Sequence, residues 1–137
     1  MSDTIQHLQL PGAQLERIER DGEDRITLHF SRVQLVQEME GACENSLWTQ
    51  AVRLTLHDIE LEGELPACPC ELQGGDLTNN IYTWRNQVPL PIGWRGDVGC
   101  KLTVAGTDAV FSIRANRMSL EQIDYPRYIK HIKKGEV

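Results

Sequence analysis

Apolar and polar residues alternate along much of the chain, which is the pattern of half-buried β-strands. In Arg25-Ile26-Thr27-Leu28-His29-Phe30 the three apolar side chains fall on one face. The segment 21–24 before this run contains Asp and Gly and predicts a turn, so residues 14–20 form the other arm of a hairpin. A second hairpin is predicted where residues 105–108 separate two alternating runs, 98–104 and 109–114.

The strongest β pattern runs from Gln50 to Glu64, and it changes phase between Leu56 and Ile59. A three-residue step cannot keep a period of two, so we predict a bulge or bend at His57-Asp58. Similar patterns of strand, kink and strand cover residues 26–35 and 111–120. Such bends are typical of strands that pass from one sheet to another. We therefore predict one all-β domain over residues 1–137, an antiparallel β-sandwich, with a closed or half-closed β-barrel as the alternative.

The remaining segments predict shorter features. Prolines interrupt the apolar run 88–92, which predicts an edge strand or an extended crossover. Asn79-Asn80 predicts a turn, because asparagine tolerates the left-handed conformation. The longest loop is expected over residues 66–75, one helical turn over 119–123 and a final strand over 127–132.

The composition is that of a folded globule. Of the 137 residues, 40% are hydrophobic and 25% are charged, which argues against disorder. No apolar run has the length of a membrane span, and we expect no membrane partner. The first seven residues lack the basic and apolar regions of a signal peptide, so we expect a cytoplasmic protein.

Charge is distributed unevenly along the chain. The net charge of −6 disfavours nucleic acid as a partner. Residues 44–76 contain seven acids and one base, whereas the stretch from Arg127 onward is basic. Within the acidic region, acids occupy every second position, so a continuous strand would place them on one face as a surface for a basic protein or for self-association. The alternative is that this face is simply solvated, or that its charges keep a sheet edge from pairing with another chain. These acids are Asp58, Glu60, Glu62 and Glu64.

Aromatic and arginine residues flank the proline-interrupted run. Aromatic rings on one side of a β domain can stack on sugar rings, while nearby arginines supply hydrogen bonds. Tryptophans that close the end of a core are the alternative, and Trp48 is expected to be such a plug. The candidate ligand-binding residues are Tyr82, Trp84, Arg85, Trp94 and Arg95.

Four cysteines are present, and without a secretory signal we expect free thiols that are largely buried. Cys68-Pro69-Cys70 is the candidate metal or redox pair, with Cys43 and Cys100 distant in sequence. The spacing departs from that of structural zinc sites and of redox Cys-X-X-Cys motifs, so we predict no metal site and no cofactor.

The sequence contains no recognisable catalytic or phosphate-binding motif. We therefore predict a non-enzymatic protein-binding or assembly module that acts through a sheet face or a loop cluster. The first alternative is a domain that binds a small ligand or carbohydrate through the aromatic residues. The second is a metal-binding or enzymatic domain that uses Cys68 and Cys70.

Overall fold

The structure is a computed structural model that describes residues 4–39 and 44–133. These residues include no helix, so the all-β prediction is confirmed. Cys43, Lys134 and Glu136 lie outside the described residues. In chain order the strands are β1 Thr4–Asp21, β2 Arg25–Met39, β3 Glu44–His57, β4 Glu60–Glu62, β5 Cys70–Asn79, β6 Tyr82–Arg85, β7 Gln87–Pro89, β8 Gly93–Val104, β9 Val110–Gln122 and β10 Arg127–Lys133.

Six of these strands form a closed antiparallel barrel in the order β3-β2-β1-β5-β8-β9. The barrel closes because β3 pairs with β2 along one edge and with β9 along the other. The closing seam joins residues 52–57 of β3 to residues 117–122 of β9. The barrel is the architecture that the sequence left as an alternative to the sandwich.

Register shifts bend the long strands at the predicted kinks. In β2 the pairing with β3 jumps from Phe30 to Val33, and the pairing of β9 with β8 shifts between Ala115 and Arg117. Extra residues at such shifts increase the local twist, which a sheet needs in order to close on itself. β3 ends at His57 and Asp58 has a φ of 55°, so the predicted bend at His57-Asp58 is confirmed.

Beyond the seam, the sheet continues in what we call the extension sheet, with the order β10-β3-β2-β1-β7. It comprises β7 and β10 together with residues 4–9, 33–39 and 44–49 of the three long strands. The prolines confine β7 to three residues at one edge, as the sequence predicted. The predicted final strand is β10, at the other edge.

The core fills the barrel and continues under one face of the extension sheet. Leu8, Leu35 and Val88 belong to this core, and Trp48 packs against it half-buried. A separate small cluster of Val36, Leu47 and Ile132 lies on the opposite face, because successive strand residues point to opposite sides. The barrel interior holds the largest side chains that are fully buried, among them Leu15, Ile26, Leu56, Leu72, Leu102, Phe111 and Met118.

Two sequence expectations about segment ends are wrong. The helical turn expected over residues 119–123 is strand through Gln122, because β3 pairs with this part of β9 as far as Val52. The loop expected over residues 66–75 stops before Cys70, where β5 begins and pairs with β1 through Leu15. In both cases pairing with a distant strand decides the local conformation.

Candidate functional site

Tyr82, Trp84 and Trp94 form a continuous run of aromatic rings. The ring centroids of Trp84 and Trp94 are 5.1 Å apart with an interplanar angle of 25°, and those of Tyr82 and Trp84 are 6.0 Å apart. Tyr82 and Trp84 share a face of β6 because they are two residues apart. The structure therefore brings together the three aromatic residues that the sequence singled out.

The two tryptophans close one end of the barrel. Trp84 lies opposite Leu77 of β5 and Trp94 lies opposite Met118 of β9, and both of these partners are fully buried. Both tryptophans are half-buried and pack against the main core. Most of their area thus serves packing, which was the alternative interpretation of the sequence.

The outer end of the run is open to solvent. Tyr82 is 63% exposed, and its neighbour Ile81 is 88% exposed. The turn that carries them is fixed by Asn80, which has a φ of 58° and accepts a hydrogen bond from the Asp97 amide at 3.1 Å. This confirms the predicted turn at the two asparagines. The Tyr82 ring is therefore accessible at the open end of the aromatic run.

The two candidate arginines do not belong to the aromatic run. Arg85 follows Trp84 in β6, points to the opposite face and pairs with Asp76 at 3.3 Å. It lines a polar groove of about 330 Å³ with Asp76, Asn86 and Lys101. Arg95 is exposed and lies directly opposite Arg117 of β9. The predicted cooperation of arginine and tryptophan at one ligand therefore lacks a geometric basis.

The acidic row is divided by the bend in the chain. Only Glu60 and Glu62 lie in a strand, β4, while Asp58 occupies the left-handed bend and Glu64 follows the strand. The premise of a continuous strand through all four acids is therefore wrong. All four are exposed, and none forms an ion pair with another described residue.

β4 is an edge strand whose acids keep their charge uncompensated. Its one pairing partner among the described residues is β9, where Glu60 lies opposite Arg114. The ion pair of Arg114 is made with Asp97 of β8, at 3.5 Å, instead of with Glu60. β4 therefore remains the acidic surface that the sequence predicted, although a shorter one.

A surface that sequence analysis did not single out lies around β10. Ile123, Tyr125, Tyr128 and Ile129 are 46%, 91%, 50% and 38% exposed. The signal for it is present in the sequence, because these four residues and the bases Arg127 and Lys130 fall within the eight positions 123–130, around Pro126. Tyr128 contacts Trp48 edge-on at 5.4 Å, so Trp48 also underlies this surface.

The thiols of Cys68, Cys70 and Cys100 are free. Burial, followed by the neighbouring Cys68 thiol, raises the pKa of Cys70 to about 11. Complete burial raises the pKa of Cys100 to about 12, against the smaller effect of a backbone hydrogen bond from Ile113. Both thiols are protonated at neutral pH and are weak nucleophiles, which gives no support to a catalytic role.

A histidine and a carboxylate form a pair on the outer surface of the barrel. The Nε2 atom of His29 lies 2.8 Å from Oε1 of Glu19, and this hydrogen bond lowers the pKa of the Glu19 carboxyl.

Across residues 4–39 and 44–133, no group of three or more His, Cys, Asp or Glu side chains is placed to hold a metal ion. Nor does this part of the chain contain a helix of the length and apolarity needed to cross a bilayer.

Comparison of the chain with protein-family models, with curated proteins and with solved structures finds no match. The surfaces around Tyr82, β4 and β10 are therefore the features that bear on function.

Proposed function

We propose that the chain is a non-enzymatic assembly module in which β10 of one copy pairs with β4 of the next copy. The observation that carries this proposal is the opposite charge of the two strands at the two ends of the sheet order. The expected cytoplasmic location belongs to the same proposal, because free thiols are the usual state there.

β10 offers a basic edge. It pairs with β3, and its other edge has no partner among the described residues. Arg127 and Lys130 are exposed along it, and neither forms an ion pair with another described residue. Ile129 lies at a register shift between Tyr128 and Lys130. Lysines and bulges protect edges from indiscriminate pairing, so β10 disfavours a second β10 and favours an acidic strand.

β4 offers the complementary edge. Glu60 and Glu62 line it, Asp58 and Glu64 flank it, and Leu61 packs toward the core between them. Because β4 has three residues, it can form few backbone hydrogen bonds with an added strand. Charge pairing must therefore supply a large part of the attraction. Exposed charge pairs are weak and are screened by salt, so the association should be weak and salt-dependent.

The two edges differ, which makes the contact heterologous. Repeating such a contact produces a ring when the rotation closes and an open chain when it does not. We expect association to increase with protein concentration at low ionic strength and to reverse at high ionic strength.

Charge reversal tests this proposal by sedimentation velocity on the full chain at low and high salt. We expect Lys130→Glu alone, and Glu60→Lys with Glu62→Lys alone, to leave monomers, because each juxtaposes like charges. Mixing the two variants should restore association, since each β10 then meets a β4 of opposite charge. A matched control is Glu16→Lys with Glu23→Lys, which changes the same net charge elsewhere on the exposed surface. A natural chain that stays monomeric at every salt concentration, or association that the reversals leave unchanged, contradicts the proposal.

A second candidate function is binding of a sugar or other flat ligand at Tyr82. The contiguity of Tyr82, Trp84 and Trp94 favours it. Titration with cello-, malto- and chito-oligosaccharides, followed by tryptophan fluorescence, tests it. We expect a saturable change that Tyr82→Ala removes and Tyr125→Ala, at another exposed tyrosine, leaves intact. No saturable change with any of these sugars would remove carbohydrate from consideration.

A further inference from the structure

A small cleft opens where the chain leaves the barrel seam and enters β10. It has a volume of about 180 Å³ and is lined by Ser31, Arg32, Thr49, Asp124 and Arg127, among others. Two features of the backbone create it. The register shift in β2 leaves Ser31 and Arg32 without partners in β3, and the segment between β9 and β10 bridges residues 50 and 51 of β3.

The floor of the cleft is held by a network of hydrogen bonds. The Ala51 amide donates to Oδ1 of Asp124 at 2.9 Å, and Nε2 of Gln50 donates to the Asp124 carbonyl oxygen. Gln122 donates in turn to Oε1 of Gln50 at 2.8 Å, and the Ile123 amide donates to the Ala51 carbonyl at 2.9 Å. The segment that carries Arg127 is therefore fixed relative to β3 before any ligand binds.

The charge in the cleft is positive. Arg32 and Arg127 form no ion pair with another described residue, and Asp124 is the one carboxylate in the lining. One of its oxygens is already engaged by the Ala51 amide. Two cations and one partly engaged anion leave a net charge of +1, which excludes a cation as the favoured ligand.

Hydroxyl groups complete the set of donors. Ser31 and Thr49 line the cleft, and Oγ1 of Thr49 is buried without a hydrogen-bond partner among the described residues. A buried hydroxyl without a partner is unfavourable by ~1–3 kcal/mol. Because its hydrogen rotates about the Cβ–Oγ1 bond, this hydroxyl can donate to an oxygen atom bound within its reach in the cleft.

We propose that this cleft binds a phosphate group between Arg32 and Arg127. Each guanidinium presents a fork of N–H donors that matches two phosphate oxygens, and the hydroxyls of Ser31 and Thr49 supply further donors. A phosphate dianion compensates both arginines, which a single carboxylate does not. The site shares Arg127 of β10 with the proposed assembly, whereas Arg32 and Thr49 belong to neither β4 nor β10.

Titration of the isotope-labelled full chain with inorganic phosphate at low ionic strength, followed by amide chemical shifts, tests the site. We expect saturable shifts centred on Arg32, Thr49, Ala51 and Arg127. Arg32→Gln with Arg127→Gln should weaken binding about tenfold or more, since it removes charge-assisted hydrogen bonds. The dispersion of the spectrum reports whether this variant is folded, and Arg127→Lys, which keeps the charge and loses the fork, should also weaken binding.

The matched control is Arg20→Gln with Arg117→Gln, which removes the same charge from two exposed arginines outside the cleft. Equal weakening by the control would show diffuse attraction and overturn the proposal, as would shifts that do not saturate. O-Phosphoserine distinguishes the source of the group. Tighter binding than inorganic phosphate assigns the site to phosphate esters, and weaker binding assigns it to the free ion, and either result supports the proposal.

Discussion

The barrel and the extension sheet share the same three long strands, but they differ in the side chains that they bury. The barrel interior is apolar, and its members include fully buried leucines from β2, β3, β5 and β8. In the extension sheet, Gln9, Asn45 and Thr49 each bury a polar atom that has no partner among the described residues. Among the described residues, the barrel has one such atom, Nε of Arg53.

Exposure differs in the same direction. The extension sheet and the segment leading into it carry five of the exposed large apolar side chains, Ile5, Ile123, Tyr125, Tyr128 and Ile129, whereas the barrel side carries Ile81, Tyr82 and Val110. Packed apolar interiors stabilise a fold, whereas exposed apolar groups and buried polar atoms lower its stability. The comparison indicates that the barrel contributes more to the stability of the fold than the extension sheet does.

Truncation of a buried apolar side chain in each region should produce the largest difference between the two regions. Leu102→Ala, in the barrel, should lower the free energy of unfolding by ~2–5 kcal/mol because it leaves a cavity. Ile132→Ala, in the small cluster at the edge of the extension sheet, should cost about 2 kcal/mol or less. Urea denaturation measures both, and equal losses would break the comparison.

A methyl group added where two barrel strands pack closely should lower the free energy of unfolding by less than a core cavity does. It should lower it by more than a methyl group added where there is open space. In Gly99→Ala the new Cβ atom would lie 2.5 Å from the Ile113 carbonyl oxygen, a backbone atom that cannot move freely. We expect a loss of ~1–3 kcal/mol, measured by thermal or urea denaturation. Gly93→Ala is the control on the same strand, because no atom lies within 4 Å of its new Cβ, and it should be near neutral. If Gly99→Ala leaves stability unchanged, the backbone of β9 at Ile113 can move away from β8.

A substitution at Asn86, where the barrel meets the extension sheet, should lower the free energy of unfolding by an intermediate amount. Asn86 connects β6, which pairs with the barrel, to β7, which pairs with the extension sheet. It has a φ of 67°, and its Oδ1 accepts a hydrogen bond from the Gly75 amide at 3.1 Å. Asn86→Ala should lower the free energy of unfolding by about 1–2 kcal/mol, and Asn86→Asp, which keeps the acceptor, by less. Equal effects would show that the side-chain acceptor contributes nothing.

The barrel should lose stability at alkaline pH, whereas at neutral pH the Cys100 thiol stays protonated and the stability is unaffected. The pKa of Cys100 is about 12 in the fold, against an ordinary value of ~8.5, so the unfolded chain loses its proton first as pH rises. The stabilisation is complete below the ordinary value and is lost as pH rises toward the folded value. Unfolding measured across this range should show a pH slope that Cys100→Ala reduces. An unchanged slope would indicate that the Cys100 thiol can ionise without unfolding.

The parts of the fold that follow from local pattern could be read from the sequence. The hairpin turn at 21–24, the bend at His57-Asp58 and the edge character of the proline-interrupted run all depend on residues within a few positions. The choice between barrel and sandwich depends on the seam between residues 52–57 and 117–122, which no local pattern encodes. The same limit applied to the candidate sites. The aromatic run could be predicted from the positions of its residues on either side of the proline-interrupted run, whereas the cleft between Arg32 and Arg127 requires the register of two distant strands.

The seam between β3 and β9 also constrains when the protein can fold. The hydrogen bond between Gln50 and Gln122 at this seam joins residues 72 positions apart. During synthesis, the β1–β2–β3 sheet can form while the ribosome is still making the second half of the chain. One edge of β3 then stays open until β9 has left the exit tunnel, and exposed edges favour pairing with other chains. Slower elongation after β3 would therefore lengthen the period in which nascent chains can aggregate.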